Sequence, residues 1–276
     1  MTLPPDFLFS QSSLQDYVDC PRRFYLRYVR RLAWPAIEAR PPIEHERHLQ
    51  QGSEFHHLVH QHVLGIPARE LTSAITDLDL RRWWRDYLEK GPPDLPEVRY
   101  PEVVLSAQVS DQRLVAKYDL IAVDAGQRAV ILEWKTYRGR SRRTWLAGRL
   151  QTRVYRYLLV RAGSHLNEGE PLEAEQVEMI YWFANFPDDP ESFPYDAAEY
   201  EADETYLTSL IEEIKGLREE DFSLTSDDDR CRFCRYRSLC RRGDAAGDFK
   251  EVEDTWDLDD DLEVSLDFEQ MAEIEY

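Results

Sequence analysis

Three short strands are predicted to follow one another in the middle of the chain, and this feature most narrows the folds open to it. Residues 102–109 alternate between apolar and polar side chains, residues 114–123 form a second strand, and residues 129–133 form a short apolar run typical of a buried strand. Turn-forming sequences separate the three segments. Because helical patterns flank them on both sides, the sequence predicts an α/β fold.

Helical periodicity precedes and follows these strands. We expect a first helix over residues 12–31 that is interrupted near Cys20-Pro21, because proline is tolerated only in the first turn of a helix. The same reasoning predicts the remaining elements in chain order: helices over 48–63, 78–90 and 145–162, a strand over 176–183 and a helix over 200–217.

Length and composition limit the class of protein. A content of 42% hydrophobic and 12% aromatic residues is too high for a disordered chain, and 276 residues suffice for one large domain or two small ones. No apolar run approaches the roughly 20 residues of a membrane span, and the first residues lack the basic-then-apolar pattern of a secretory signal. The sequence thus predicts a soluble, cytoplasmic protein without a membrane partner.

The formal net charge of −20 is unevenly distributed along the chain. From residue 244 to the end there are 14 acidic residues and one lysine, so this tail alone carries −13. Arginines cluster over residues 22–31, 138–143 and 230–242. Such clusters are either solvated surfaces or phosphate contacts, since a guanidinium group matches the geometry of phosphate oxygens. The overall acidity therefore does not exclude a nucleic-acid partner.

Charged residues occur at or near the ends of two predicted strands. Glu133 and Lys135 are two residues apart, so their side chains share one face of the strand, with Trp134 on the other. A carboxylate beside an ammonium group suits phosphodiester hydrolysis, because the first can hold a divalent metal and the second can orient water or neutralise charge. Asp119 lies in an otherwise apolar strand, where an acid needs a partner. The alternative is an ordinary surface ion pair.

Two further motifs lie on the predicted helices before and after the strands. Gly52 and His56 belong to the helix over residues 48–63, and Gln151 and Tyr155 are four residues apart on one face of the helix over 145–162. A lone histidine on a helix is more often structural than a metal ligand, and further histidines lie close by on the same helix. Neither motif indicates a function by itself. The order of the motifs along the chain, together with the charged strand residues, is informative.

The chain has four cysteines, one near its start and three close together near its end: Cys20, Cys231, Cys234 and Cys240. In an intracellular protein this clustering favours metal binding over a disulfide. Structural zinc usually shows paired Cys-x2-Cys motifs or nearby histidines, whereas three cysteines plus a distant fourth are more typical of an iron–sulfur cluster. Zinc and buried free thiols remain alternatives.

Taken in order, these motifs resemble those of the PD-(D/E)xK nuclease superfamily, specifically its RecB-like branch, which includes AddB-type iron–sulfur nucleases and CRISPR-associated exonucleases. The resemblance covers residues 10–243 and starts with Ser12-Ser13-Leu14, Tyr17, Cys20-Pro21 and Phe24. One departure is Ala116, where the family usually has glycine, and Glu133 is an accepted alternative to aspartate.

The resemblance implies a restriction-endonuclease-like core, in which helices flank a mixed central sheet, with N-terminal helices and a C-terminal iron–sulfur segment. It implies that Asp119 and Glu133 hold Mg²⁺ or Mn²⁺, and that His56 and the backbone carbonyl of Trp134 add further ligands. Lys135 would serve the attacking water and the scissile phosphate.

The resemblance also implies roles for residues outside the strands. Gln151 and Tyr155 would orient the site and touch DNA. A [4Fe–4S] cluster would be ligated by the four cysteines and would hold both ends of the chain around the core: Cys20, Cys231, Cys234 and Cys240. The arginines that follow the Lys135 motif are expected to contact phosphates: Arg138, Arg140, Arg142 and Arg143.

We therefore expect an N-terminal helical region (1–97), a nuclease core (98–222), an iron–sulfur segment packed back on the N terminus (223–243) and an acidic tail (244–276). The tail is either disordered or an acidic–apolar segment that occupies the DNA groove or binds a partner.

The expected function is a metal-dependent DNA nuclease, an exonuclease on single-stranded or open-ended DNA, in repair, recombination or CRISPR adaptation. A helicase or a CRISPR-adaptation protein is a candidate partner. The alternative function is a DNA-binding subunit of such a complex that uses the nuclease core mainly to grip DNA.

Overall fold

A computed structural model describes residues 3–243 apart from residues 5, 34–41 and 93. Its helices are α1 (Gln11–Asp19), α2 (Pro21–Phe24), α3 (Pro42–Val63), α4 (Ala68–Ala74), α5 (Leu78–Lys90), α6 (Arg143–Gly148), α7 (Leu150–Ala162) and α8 (Ala197–Gly216). Its strands are β1 (Leu8–Ser10), β2 (Val98–Pro101), β3 (Val104–Val109), β4 (Gln112–Lys117), β5 (Leu120–Asp124), β6 (Arg128–Lys135), β7 (Val177–Phe183) and β8 (Glu191–Pro194). The predicted acidic tail, 244–276, lies outside the described residues.

The strands form two sheets rather than the single central sheet that was expected. The larger one has the order β2-β5-β6-β7-β8 and is mixed, because β6 and β7 run parallel while the other neighbours are antiparallel. The smaller one has the order β1-β4-β3, with β1 parallel to β4. Mixed sheets with flanking helices confirm the α/β class and are consistent with a restriction-endonuclease-like core.

The prediction of one strand over residues 114–123 is wrong, because two strands of different sheets meet there. β4 ends at Lys117 and β5 begins at Leu120, so Asp119 lies in the crossing between the sheets. Tyr118 is fully buried in that crossing and its backbone N–H donates to the Val103 carbonyl at 2.9 Å. The apolar pattern therefore continues through the residues between β4 and β5. For this reason the sequence does not reveal that one strand ends and another begins there.

Both faces of the larger sheet are covered. Ile131 of β6 belongs to the core that includes residues of α1, α7 and α8, whereas Leu132 and Trp134 belong to a second core with α3, α4 and α5. A strand buried on both faces is typically apolar, as β6 is from Ala129 to Leu132. This arrangement leaves the end of β6 between α3 and α7.

Most helices follow the sequence pattern, and the missed elements are short. The predictions over 48–63 and 145–162 are wrong in part: α3 already begins at Pro42, and the extended backbone of Arg149 divides the second helix into α6 and α7. The predicted interruption at Cys20-Pro21 is confirmed: α1 ends before Cys20, and Pro21 is the first residue of α2, where its missing N–H costs nothing. A π-helical turn over Tyr25–Val29 continues α2. Within the described residues, no helix is long and apolar enough to cross a membrane.

Candidate active site

Strand pairing brings the two predicted carboxylates side by side. β5 and β6 are antiparallel with Leu120 opposite Leu132, so Asp119 and Glu133 are the next two residues at that end of the pair. The backbone N–H of Trp134 donates to Asp119 Oδ2 at 2.9 Å, which fixes the aspartate against β6.

Glu133 and Lys135 form a buried pair rather than a surface one. Their side chains are 3% and 5% exposed, and Lys135 Nζ lies 3.4 Å from Glu133 Oε1. Gln151 Nε2 donates to the same oxygen at 2.7 Å, so α7 holds the carboxylate from the other side. Burying two charges costs several kcal/mol of desolvation free energy. Buried charges of this kind at a strand end are typical of functional sites.

His56, on α3, contacts the Asp119 carboxylate. Its Nδ1 lies 3.1 Å from Asp119 Oδ1, and its side chain is 31% exposed. His62 on the same helix bonds instead to the Tyr87 hydroxyl at 3.0 Å. Because the carboxylate can only accept, Nδ1 of His56 carries a proton in this contact, and when the ring is neutral the lone pair is on Nε2.

Gly52, one turn before His56, allows α3 to approach the end of β6. A Cβ at this position would lie 2.9 Å from Oγ1 of Thr136, the buried residue that follows Lys135. That distance is shorter than ordinary van der Waals contact, so a larger residue would push the helix or Thr136 away. The glycine therefore sets the approach of α3, and with it the position of His56.

The environment of Asp119 favours its ionised form. Burial by itself would raise the pKa of this carboxyl group, but the charge and hydrogen bond of His56, the N–H of Trp134 and the charge of Lys135 outweigh it. The net result is a pKa below the usual value of aspartate. Asp119 therefore remains a carboxylate at neutral pH even without a cation.

The two α7 residues of the predicted motif act on different strands. Gln151 holds Glu133, while the Tyr155 hydroxyl donates to the Lys117 carbonyl at 2.7 Å, at the end of β4. Tyr118 returns a hydrogen bond to the Tyr155 carbonyl at 2.9 Å. Both α7 side chains are buried, so in this structure they orient the two carboxylates and their strands.

Sequence reasoning missed the aromatic residues around Lys135. Its Nζ lies 5.3 Å from the ring centre of Tyr137 and 5.8 Å from that of Tyr181, within the range of cation–π attraction. Tyr137, two residues after Lys135, could have been found from strand periodicity. Tyr181 is recognisable only from the parallel register that places it opposite Glu133.

The four predicted phosphate-binding arginines lie in two kinds of environment. Arg140 and Arg143 both contact Glu191 at the start of β8, at 2.8 Å each, and Arg140 also contacts Asp189 at 2.6 Å. The other two are exposed on the loop between β6 and α6: Arg138 and Arg142.

Oxygen donors dominate the strand-end site. Among the described residues, no group of three or more His, Cys, Asp or Glu side chains is placed to hold a metal ion. The site nevertheless offers two adjacent carboxylates beside the backbone of Trp134. Mg²⁺ retains several waters and is commonly bound through one or two carboxylates, and Mn²⁺ shares its preference for oxygen. The donor set therefore fits either ion.

The cysteine-rich segment contacts the N-terminal helices. The N–H of Arg22 donates to the Ser223 carbonyl at 3.0 Å, and Arg230 forms an ion pair with Asp19. None of the four cysteines forms a disulfide. Burial, and then the charge of Cys20, raise the pKa of the Cys231 thiol.

Comparisons with known proteins bear on the family. The family model of the PD-(D/E)XK nuclease superfamily matches residues 8–241. No curated protein matches the chain. Among solved structures, the protein SSO0001 is 14% identical, with a TM-score of 0.38 over 87% of this chain and 88% of its own. A structure named "Putative exonuclease" from Eubacterium rectale is 10% identical, with a TM-score of 0.48 over 78% of this chain and 86% of its own.

Proposed function

The chain belongs to the PD-(D/E)XK nuclease superfamily, and from this premise we propose that it is a metal-dependent deoxyribonuclease. The observation that carries the proposal is the meeting of Asp119, Glu133 and Lys135 at one strand end. Two carboxylates and an ammonium group there suit hydrolysis of a phosphodiester bond.

The cation and the side chains have separate tasks in this proposal. Bound there, Mg²⁺ or Mn²⁺ polarises the scissile phosphate and makes a water more acidic. Asp119 and Glu133 would hold the cation, and His56 and the backbone carbonyl of Trp134 would be further ligands. Lys135 donates to the attacking water and to the phosphate.

Two α7 residues act through these groups as positioning residues. Gln151 fixes the Glu133 carboxylate through its 2.7 Å hydrogen bond, and Tyr155 fixes the strand that leads into Asp119. A preorganised site avoids the cost of ordering these groups during the reaction.

For the substrate, we propose single-stranded or open-ended DNA degraded from an end, in repair, recombination or CRISPR adaptation. Support comes from the order of the motifs, which is similar to that of RecB-like nucleases. A helicase or a CRISPR-adaptation protein would supply the opened strand. Genomic neighbours of the gene would indicate which pathway applies.

We also propose a [4Fe–4S] cluster ligated by the four cysteines: Cys20, Cys231, Cys234 and Cys240. Contacts between the N-terminal helices and the segment from residue 223 onwards support it. The test is iron analysis and absorption spectroscopy of protein purified without oxygen, where we expect roughly four iron atoms per chain. Bound zinc, or no metal, would contradict the cluster.

Digestion of end-labelled DNA tests the nuclease proposal. We expect linear single strands to be degraded with Mg²⁺ or Mn²⁺ and to survive in EDTA, and circular single strands to survive throughout. Lys135→Ala should abolish degradation, while the control Lys90→Ala removes an exposed lysine on α5 and should not. If the Lys135→Ala protein degrades DNA as fast as the unaltered one, the assignment fails.

A further inference from the structure

One carboxylate holds Arg140, on the loop that leaves β6 directly after Lys135, and Arg143, the first residue of the helix α6 that follows this loop. Arg140 lies 2.8 Å from Glu191 Oε1 and Arg143 lies 2.8 Å from Glu191 Oε2, so Glu191 bridges them. The Glu191 side chain is 13% exposed, and Glu191 is the first residue of β8, which is an edge strand. Burial alone would raise the pKa of Glu191, but the hydrogen bonds from Arg143 and Arg140 lower it. The bridge is therefore ionised at neutral pH.

The two arginines use their guanidinium groups differently. Arg140 contacts Glu191, the Asp189 side chain at 2.6 Å, the Asp189 carbonyl at 3.2 Å and the Ser141 carbonyl at 3.4 Å. Its guanidinium also lies over the ring of Phe183 at 5.6 Å. Most of its donors are thus taken up by the protein, as in a residue that fixes a loop.

Arg143 keeps donors for a ligand. Within the described part of the chain, its guanidinium contacts Glu191 through one nitrogen and lies over the Phe193 ring at 4.4 Å. The side chain is 53% exposed. A guanidinium held by a carboxylate at one edge and by a ring on one face has little rotamer freedom left to lose on binding.

We propose that Glu191 is a positioning residue of the nuclease, which holds Arg143 ready to bind a backbone phosphate of DNA while Arg140 fixes the loop. This inference rests on the proposed nuclease function and deepens it, because the loop begins at the residue after Lys135. It also divides the predicted arginine group: Arg143 binds phosphate, and Arg140 does not.

Simple charge repulsion makes the opposite prediction for Glu191. An acidic residue near bound DNA repels it, so its removal would raise the affinity. A positioning residue lowers the affinity when it is removed, although the protein becomes less negative. A variant that keeps the charge but shortens the side chain, Glu191→Asp, separates the two effects further, since repulsion alone predicts no change.

The test is the salt dependence of binding to a labelled single-stranded oligonucleotide, with Mg²⁺ present and in a Lys135→Ala background that prevents cleavage. The slope of log K against log salt concentration falls by about 0.7 for each lost phosphate contact on a single strand. We expect Arg143→Gln, Glu191→Gln and Glu191→Asp each to lower the slope by about that amount, and the double variant Arg143→Gln/Glu191→Gln to lower it no further.

Two controls complete the design. Asp188→Asn removes one negative charge from the turn before β8, where Asp188 pairs with Lys90 instead of an arginine, and should leave the slope unchanged. Arg140→Gln should lower the thermal midpoint, because it removes the contacts that fix the loop. Thermal unfolding of every variant shows whether it is folded, and if Glu191→Gln is not, Arg143→Gln and Glu191→Asp still decide the outcome.

Three results would overturn the inference: a higher affinity for Glu191→Gln with an undiminished slope, an unchanged slope for Arg143→Gln, or additive slope changes in the double variant. A parent protein that binds no DNA at all would overturn the proposed function and this inference with it. Normal binding by the parent with equal slopes for all variants would overturn the inference alone.

Discussion

The strand-end site and the cysteine segment are built in different ways. At the strand end, Asp119 and Glu133 are neighbours through the pairing of β5 and β6, and backbone and side-chain hydrogen bonds hold each of them. In the cysteine segment, the contact between Asp19 and Arg230 joins residues 211 positions apart. Adjacent strands can place carboxylates without a cofactor, whereas a contact between distant parts of the chain must offset the entropy of closing a long loop. We therefore expect substitutions at the first site to remove cleavage and those at the second to remove stability.

The largest effect is expected from breaking the buried Glu133–Lys135 pair. Glu133→Gln deprives the Lys135 ammonium group of a carboxylate 3.4 Å away, and should lower the free energy of unfolding by about 3 kcal/mol. The double variant Glu133→Gln/Lys135→Met removes both charges and should regain most of that loss. Neither protein should cleave DNA. Urea unfolding measures the free energy of unfolding of both variants. A double variant that is less stable than Glu133→Gln would contradict the predicted recovery.

A loss of stability of similar size is expected from the cysteine segment, but here cleavage should persist. If the proposed cluster cross-links the chain, Cys231→Ala should lower the free energy of unfolding by about 3 kcal/mol, as expected when a cross-link that closes a long loop is lost. Cleavage by the folded protein at low temperature should persist, because the strand-end contacts do not involve Cys231. Unfolding and cleavage are measured on protein kept free of oxygen. An unchanged free energy of unfolding for Cys231→Ala would contradict the proposed difference between the strand-end site and the cysteine segment.

A smaller loss is expected when α3 is pushed away from β6. Gly52→Ala places a Cβ 2.9 Å from Thr136 Oγ1, and such overpacking typically costs about 1–3 kcal/mol. Thr136→Ala in the same protein removes the clashing oxygen and should restore part of the stability and of the cleavage rate. Gly148→Ala in α6 is the matched control, since its Cβ would meet nothing within 4 Å. Failure of Thr136→Ala to rescue would show that the close approach is not what requires glycine.

The smallest effect concerns pH. The folded pKa of Asp119 is lowered, so its contribution to stability is present above the unfolded pKa and is lost as pH falls through the folded pKa. His56→Gln removes a charge and a hydrogen bond that lower this pKa, so the loss should be complete at a higher pH and should be smaller, by about 1 kcal/mol for each unit by which the folded pKa rises. The free energy of unfolding between pH 7 and pH 3 measures it. Superimposable curves for the two proteins would contradict the role of His56.

Local sequence patterns predict those parts of the site that depend on one element. Two-residue spacing places Glu133 and Lys135 on one face of β6, and the four-residue spacing of Gln151 and Tyr155 turns both towards the sheets. The bounds of α5 follow for the same reason, since it spans the predicted residues, whereas the predicted helix over residues 145–162 is divided into α6 and α7 at Arg149.

Features that depend on pairing between distant elements are not visible in the sequence. The crossing at Tyr118 and Asp119 continues the apolar pattern of its flanking strands, so only the two-sheet arrangement reveals it. β8 is a four-residue edge strand, too short for a periodic signal, and Glu191 therefore escaped notice. Its contacts with Arg140 and Arg143 show why an arginine cluster alone does not identify which members bind phosphate.

The most direct test of the central claim is single-turnover cleavage of an end-labelled linear DNA strand by Asp119→Asn and Cys231→Ala proteins, compared with the unaltered chain at saturating Mg²⁺. The account predicts that Asp119→Asn slows cleavage by about 10²–10³-fold, as expected when a preorganised charged group is lost from a catalytic site. Asp119→Asn should remain folded, and Cys231→Ala should cleave at nearly the unaltered rate. Cleavage by folded Asp119→Asn at the unaltered rate would contradict the assignment of the strand-end site as the catalytic centre.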